Sequence, residues 1–118
     1  MDRTKNKLIG KIGEDEAAKF LQKKGYVIVE RNWGSKWGEI DIIAKDKDVT
    51  IFVEVKTKKG MDFGSPEEMV GPRKLNQIQR MANTYYQAAN SPKRIDVVAI
   101  VLSWDLAIER INHYEAVY

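Results

Sequence analysis

The sequence predicts a mixed α/β fold in which helices cover a central mixed sheet, in the order α-β-β-β-α-β-β. Three observations carry this. A long N-terminal stretch contains no proline, three β-branched runs follow in quick succession, and an amphipathic stripe separates the third run from a fourth.

From Thr4 to Lys24 only Gly10 and Gly13 interrupt the chain, and Gly25 is a natural stop, so a helix is expected over 6–24. Tyr26 to Asn32 is dense in β-branched and aromatic residues and predicts a strand. The loop from Trp33 to Gly38 ends it. Two further strands, Glu39 to Lys45 and Val49 to Lys56, flank the polar Asp46-Lys47-Asp48 and predict a hairpin. Ser65-Pro66-Glu67-Glu68 spells a capping box with proline at the first helical position, giving a short helix over 66–70. After Gly71-Pro72, residues Leu75, Ile78, Met81, Ala82, Tyr85 and Ala89 recur at helical spacing and predict a helix over 73–89. Asn90-Ser91-Pro92 ends that helix. Strands over 94–102 and 106–112 flank Ser103-Trp104-Asp105. The first three strands should form an antiparallel meander, and the crossover helix lets the third and fourth pair in parallel.

With 118 residues, 43% hydrophobic and 31% charged, the chain suits one domain spanning 1–118, and the composition excludes disorder. It has no Cys and one His, His113, which removes disulfides, thiolate zinc sites, thiol nucleophiles and multi-histidine metal sites. Any metal is therefore expected on carboxylates. No apolar run approaches the roughly 20 residues of a membrane helix, and the first residues lead into no apolar signal core, so a soluble, cytoplasmic protein without a membrane partner is expected. Residues 1–60 carry 14 Lys+Arg against 10 Asp+Glu, whereas residues 61–118 carry 6 against 7. The basic excess of the first half leans toward a polyanionic partner, although a merely soluble surface explains it as well.

The chemistry lies where charges interrupt strands. Ile51, Val53 and Val55 share one face of their strand, and Phe52, Glu54 and Lys56 share the other. If the hairpin turns at Lys47-Asp48, Lys45 faces Thr50, Asp41 faces Glu54, and Glu39 faces Lys56. Opposed Cβ atoms lie about 4.5 to 5.5 Å apart. Two carboxylates at that spacing repel unless a cation lies between them, and a nearby Lys can stabilise charge developing on a phosphate. Hard cations such as Mg²⁺ take carboxylate and carbonyl oxygens. A cross-strand salt bridge to Lys56 on a solvated face is the plainer alternative. Glu14 lies among Gly10, Ala17, Ala18 and Leu21 on a helical wheel and is a third candidate acid, although a buried face built on Ile9, Ile12 and Phe20 would leave it solvated.

Gly10-x-x-Gly13-Glu14, Ala17-Ala18-x-x-Leu21, Gly25-Tyr26, Arg31-Asn32, Gly38-Glu39-Ile40-Asp41-Ile42-Ile43-Ala44, Phe52-Val53-Glu54-Val55-Lys56, Phe63-Gly64-x-Pro66, Lys74 and Asp96-Val97-Val98 resemble the YraN family of small bacterial proteins. The likeness spans nearly the whole chain. That pattern is in turn similar to the restriction-endonuclease-like fold, especially archaeal Holliday-junction resolvases. The resemblance implies Glu14, Asp41, Glu54 and Lys56 as catalytic residues and Mg²⁺ or Mn²⁺ as cofactor. It also implies Asp41, Glu54, Glu14 and Val55 as metal ligands, and the resolvase likeness implies a homodimer. Ile40 departs from the Pro common before the Asp in nucleases of this fold, and Ile95 stands where YraN-like sequences carry Phe. Neither removes a ligand.

Gly10-Lys11-Ile12-Gly13 also matches the Gly-x-x-Gly clamp of KH RNA-binding domains, a short motif that would need a different strand order. Trp33, Trp37 and Lys36 can stack on an exposed base, and Lys58, Lys59, Arg73, Lys74, Lys93 and Arg94 can meet phosphates. Lys36, Lys58, Lys74 and Arg94 are the nucleic-acid-binding candidates. Packing of the Trp rings on a sheet edge and solvation of the cations is the plainer account. The expected function is a metal-dependent DNA endonuclease acting on branched or single-stranded DNA. The alternative is a nucleic-acid-binding or scaffold protein of the same fold that cleaves nothing, and a third reading is a salt-bridged sheet with no nucleic-acid role.

Overall fold

The tight turn at Lys47-Asp48, with Lys47 left-handed at φ 57°, sets the register of the sheet. In the computed structural model, which describes residues 3–60, 64–85 and 88–118, the elements are α1 (Arg3–Lys23), β1 (Val27–Ser35), β2 (Gly38–Asp46) and β3 (Val49–Lys59), followed by α2 (Pro72–Thr84), β4 (Lys93–Leu102) and β5 (Ile108–Tyr114). A single 3-10 turn, Pro66–Met69, precedes α2. The sheet order is β1-β2-β3-β4-β5, antiparallel throughout except for the parallel β3/β4 pair, as the crossover predicts.

Each face of the sheet buries one helix. Ala17, Ala18 and Leu21 of α1 pack on Ile42, Ala44, Ile51, Val53 and Val98, while Ile78, Met81 and Ala82 of α2 pack on Ile40, Ile43 and Phe52. β3 and β4 are apolar on both faces, as central strands covered on two sides must be. Among the described residues no helix is long and apolar enough to cross a membrane.

Four local expectations need correction. The loop expected from Trp33 to Gly38 is only the turn Lys36-Trp37, because Trp33, Gly34 and Ser35 stay in the ladder with Ile40, Glu39 and Gly38. The helix expected to reach residue 89 stops at Thr84, and residues 86 and 87 of that expectation lie outside the described set. Tyr85 sits on the apolar stripe but is extended. Its ring is buried edge-on to Trp33 and Phe52, at centroid distances of 5.1 and 5.8 Å, so tertiary packing overrides the periodicity. Ser65 makes no side-chain cap, so the expected capping box does not form, and Glu67, at the second position of the turn, accepts from Arg110, Asn112 and Tyr114. The last strand begins two residues late because Leu106 is left-handed in the turn, at φ 69°.

The departure that matters for function lies in β2. Its ladder with β3 runs from Asp46↔Val49 to Ile42↔Val53 and stops one pair short of the expected Asp41↔Glu54. Ile40 and Ile42, two residues apart, pack on opposite sides of the sheet, so strand alternation breaks at Asp41. Opposite this break β1 carries a register shift around Val29 and a left-handed Asn32 at φ 53°. Glu39 keeps its β1 partner, Gly34, but the expected pairing with Lys56 on the other edge is not made. Beyond Val53, β3 keeps only β4 as a ladder partner, out to Lys59↔Leu102.

Candidate metal and phosphodiester site

The gap opened where β2 and β3 part is the floor of a cleft of about 700 Å³. Its walls come from Asn6, Ile9, Gly10 and Glu14 of α1, from Asp41, and from β3 between Val55 and Lys59. α1 approaches β3 closely because position 13 has no side chain: a Cβ on Gly13 would overlap Thr57. That contact settles the wheel ambiguity. Gly13, Ala17, Ala18 and Leu21 face the sheet, and Glu14, one residue past Gly13, is carried to the cleft wall with 14% of its side chain exposed. The Gly-x-x-Gly pattern thus serves helix-on-strand contact at its second glycine, and Gly10 lines the cleft.

Asp41 and Glu54 meet as side chains although their backbones are not ladder partners. Asp41 Oδ2 accepts from the main-chain N–H of Val55 at 2.8 Å, taking the place of the β2 carbonyl that the ladder would otherwise supply. Burial, followed by hydrogen bonding and repulsion from the Glu54 carboxyl, pushes the Asp41 carboxyl up to about 7, against the opposing pull of the Val55 N–H and of Lys56. Glu54 is 3% exposed, and its Oε2 has no hydrogen-bond donor. Lys74 Nζ lies 3.4 Å from that oxygen, an ion pair in charge but without hydrogen-bonding geometry. Glu14 is held from the other side: Arg31 Nε donates to Oε1 and Asn32 Nδ2 to Oε2, each at 3.0 Å. The left-handed backbone of Asn32 lets its amide also reach Glu39 at 3.2 Å.

The donor set suits a hard divalent cation. It is all oxygen, it includes two carboxyls pressed together, and one buried oxygen is left without a donor. Asp41 and Glu54 offer carboxylate oxygens and Val55 its main-chain oxygen, but Glu54 lies behind the cleft lining, and the carboxylates of Glu14, Asp41 and Glu54 do not all come within 4.8 Å of one another, so the structure does not bring the three expected acids together as one ligand set. Lys56 lines the same cleft and is near enough to Asp41 to favour its charged form.

The cations expected to meet nucleic acid are dispersed. Lys58 and Lys59 line the cleft, with Lys59 also lying over Trp104. Lys74 reaches Glu54, Lys36 lies over the Trp37 ring, and Lys93 is exposed at the start of β4. Arg94 pairs in the parallel ladder with Ile51, at the end of β3 away from the cleft, and its guanidinium bonds to Asp96.

Sequence reasoning missed that second cluster. Asp96, His113 and Glu115 bring ligand-capable atoms within 4.8 Å of one another. Asp96 is fully buried but well supplied: His113 Nε2 at 2.8 Å, Arg94 Nε at 3.0 Å and the Ala116 N–H at 2.9 Å all reach it. Burial alone would raise its carboxyl, and these donors outweigh burial and hold it below the ordinary carboxylate range. Lys24 Nζ donates to His113 Nδ1 at 2.8 Å, which leaves the proton on Nε2, facing Asp96. Glu115 accepts from Tyr26 at 2.7 Å. A guanidinium already occupies the place a cation would take. The Arg94-x-Asp96 spacing was its only trace in the sequence.

Residues 13–100 match the model of the Uncharacterised protein family UPF0102, the YraN family of the resemblance above. A UPF0102 protein of Dictyoglomus turgidum is 46% identical over 101 residues, covering 83% of this chain and 86% of its own length. One from Caldanaerobacter subterraneus subsp. tengcongensis is 39% identical over 117 residues, covering 96% of each. Another, from Flavobacterium psychrophilum, is 39% identical over 107 residues, covering 91% and 90%. Glu14, Asp41, Glu54 and Lys56 all fall inside the matched stretch, and the chain belongs to family UPF0102.

Proposed function

We propose that the protein is a Mg²⁺- or Mn²⁺-dependent DNA endonuclease that hydrolyses phosphodiesters in the cleft between α1 and β3. The supporting observation is the carboxyl pair of half-buried Asp41 against buried Glu54, with a Glu54 oxygen that no donor satisfies. A bound divalent cation would supply Lewis-acid polarisation of the phosphate and of water. The protein's own groups do the rest. Asp41 is oriented by the Val55 N–H, and Arg31 and Asn32 hold Glu14 at the wall. Lys56 stabilises charge on the phosphate oxygens or orients the attacking water as its oxygen bonds to phosphorus and one P–O ester bond breaks. Lys58 and Lys59, at the cleft rim, and Lys74, beside Glu54, position phosphates. A branched substrate with two-fold symmetry would engage a homodimer.

Calorimetry with Mg²⁺ and Mn²⁺ on wild type and on Asp41→Asn/Glu54→Gln tests this reading, followed by cleavage assays on junction, flap and single-stranded DNA. Metal heat lost in the double variant, with cleavage lost beside it, supports the reading. A folded wild type that binds neither metal overturns it. One observation favours a non-cleaving, nucleic-acid-binding or scaffold protein instead: Lys74 and Arg31 already neutralise Glu54 and Glu14. On that reading Asp41→Asn leaves every activity unchanged.

A further inference from the structure

A second recess of about 600 Å³ lies outside the cleft, between the β1–β2 turn and the outer face of α2. It is lined by Trp37, Arg73, Asn76, Gln77 and Arg80, and no carboxylate is among them. The four α2 residues follow the i, i+3, i+4, i+7 stripe of one helix face. Trp37 stands at the tip of a two-residue turn, with its ring 40% exposed. An exposed indole on a tight turn is usually mobile, but here both of its main-chain groups are held. The Trp37 N–H donates to Ser35 Oγ at 3.1 Å, and the Trp37 carbonyl accepts from the Gln77 amide. Gly38, at φ 135°, makes this docking possible, because a Cβ there would run into that amide.

Around the indole the charge has one sign. Lys36 Nζ lies 5.0 Å and the Arg80 guanidinium 5.6 Å from the indole centroid, and Arg73 completes the set. Among the described residues Lys36, Arg73 and Arg80 have no carboxylate partner. A flat π surface, a guanidinium plane and uncompensated cations form the combination that holds an unpaired base together with its flanking phosphates. In a duplex the base faces are already stacked, so the indole has nothing to receive.

We infer that the Trp37–Arg80 recess binds single-stranded nucleic acid, stacking one unpaired base on Trp37 or Arg80 while Arg73 and Lys36 take adjacent phosphates. Binding there requires no metal and no cleavage. It bears on the endonuclease reading in one respect only, and rests on that reading there: Arg73 adjoins Lys74, whose ammonium reaches Glu54, and on that reading the strand held in the recess is the strand cut in the cleft.

The test is fluorescence anisotropy of a labelled oligothymidylate with the full chain in EDTA, over a salt series. Lys36→Gln/Arg73→Gln should flatten the slope of log K against log[salt] by about 1.4, at roughly 0.7 per phosphate contact on a single strand. Trp37→Leu should weaken binding about ten-fold with the slope unchanged, and Trp37→Phe should recover part of the loss. Circular dichroism melting checks that each variant folds. Oligouridylate bound with the same Trp37 dependence also supports the inference. Equal binding by wild type and all variants overturns it, as does a duplex bound as tightly as the single strand. Polyglutamate bound with the same salt slope and no dependence on Trp37 also overturns it, marking an acidic-polypeptide patch. Asp41→Asn/Glu54→Gln should bind oligothymidylate like wild type, so loss of the endonuclease reading leaves this one standing.

Discussion

Asp41 and Asp96 are both acids on strands of one sheet, the first half-buried at the cleft and the second fully buried, and they are driven in opposite directions. Asp96 collects an imidazole N–H, a guanidinium and a main-chain N–H, and its charge is stabilised. Asp41 has one main-chain N–H and another carboxyl, and its charge is opposed. Burial works to raise both carboxyls, so burial does not decide role. What decides is whether the protein supplies the counter-charge itself. Around Asp96 it does, tying β4 and the chain after β5 to Tyr26. At Asp41 and Glu54 the set is left incomplete, which fits a group that completes it from outside.

The sharpest way to break this contrast is by stability. Asp96→Ala should cost about 3 to 5 kcal/mol in denaturant unfolding, because Arg94 and His113 lose the charge they were built around. Glu54→Gln in metal-free protein should cost clearly less than Asp96→Ala, since it removes a repulsion along with the Lys74 pair. Equal losses would make both clusters structural. In cleavage assays the ranking reverses: Asp41→Asn should lower the rate at least about 100-fold, whereas Lys24→Gln, beside His113, should leave it unchanged.

Gly13→Val comes next in size. Overpacking against Thr57 should cost about 1 to 3 kcal/mol, and metal affinity should weaken as Glu14 is pushed from the wall. Wild-type stability and metal binding in Gly13→Val would remove α1 from the site.

The pH response has opposite signs at the two acids. Asp41 binds its proton more tightly folded than unfolded, so metal-free stability falls as pH rises from about 4 through about 7, by at most about 1.4 kcal/mol per unit. Asp96, held low, contributes stability above the ordinary carboxylate range that is lost as pH falls through its folded value. Thermal melts between about pH 4 and about pH 7 should show the first slope vanish in Asp41→Asn, and melts below the ordinary carboxylate range should show the second persist.

These contrasts explain what could be read from the chain. Lys47-Asp48 is a strong local signal, so the hairpin register was legible, and with it the nearness of Asp41 and Glu54. The break in alternation at Asp41 was not legible, because it depends on Asn32 and Val29 across the sheet. Tyr85 obeys helical periodicity, and only its burial between Trp33 and Phe52 shows why the helix stops before it. The Asp96 cluster joins Tyr26, Arg94, His113 and Glu115 through long-range contacts, and no local pattern reports those.

The parallel seam between β3 and β4 also has a consequence in time. Glu14, Asp41, Glu54 and Lys56 are all synthesised before any of β4, whose ten residues fill the whole open side of β3. Until residue 102 has left the ribosome, one of the most apolar strands of the molecule carries an unpaired edge beside a half-built acidic cluster. The α2 crossover must form and dock in that interval, so the span from residue 60 to 92 sets how long the nascent chain stays exposed to wrong partners.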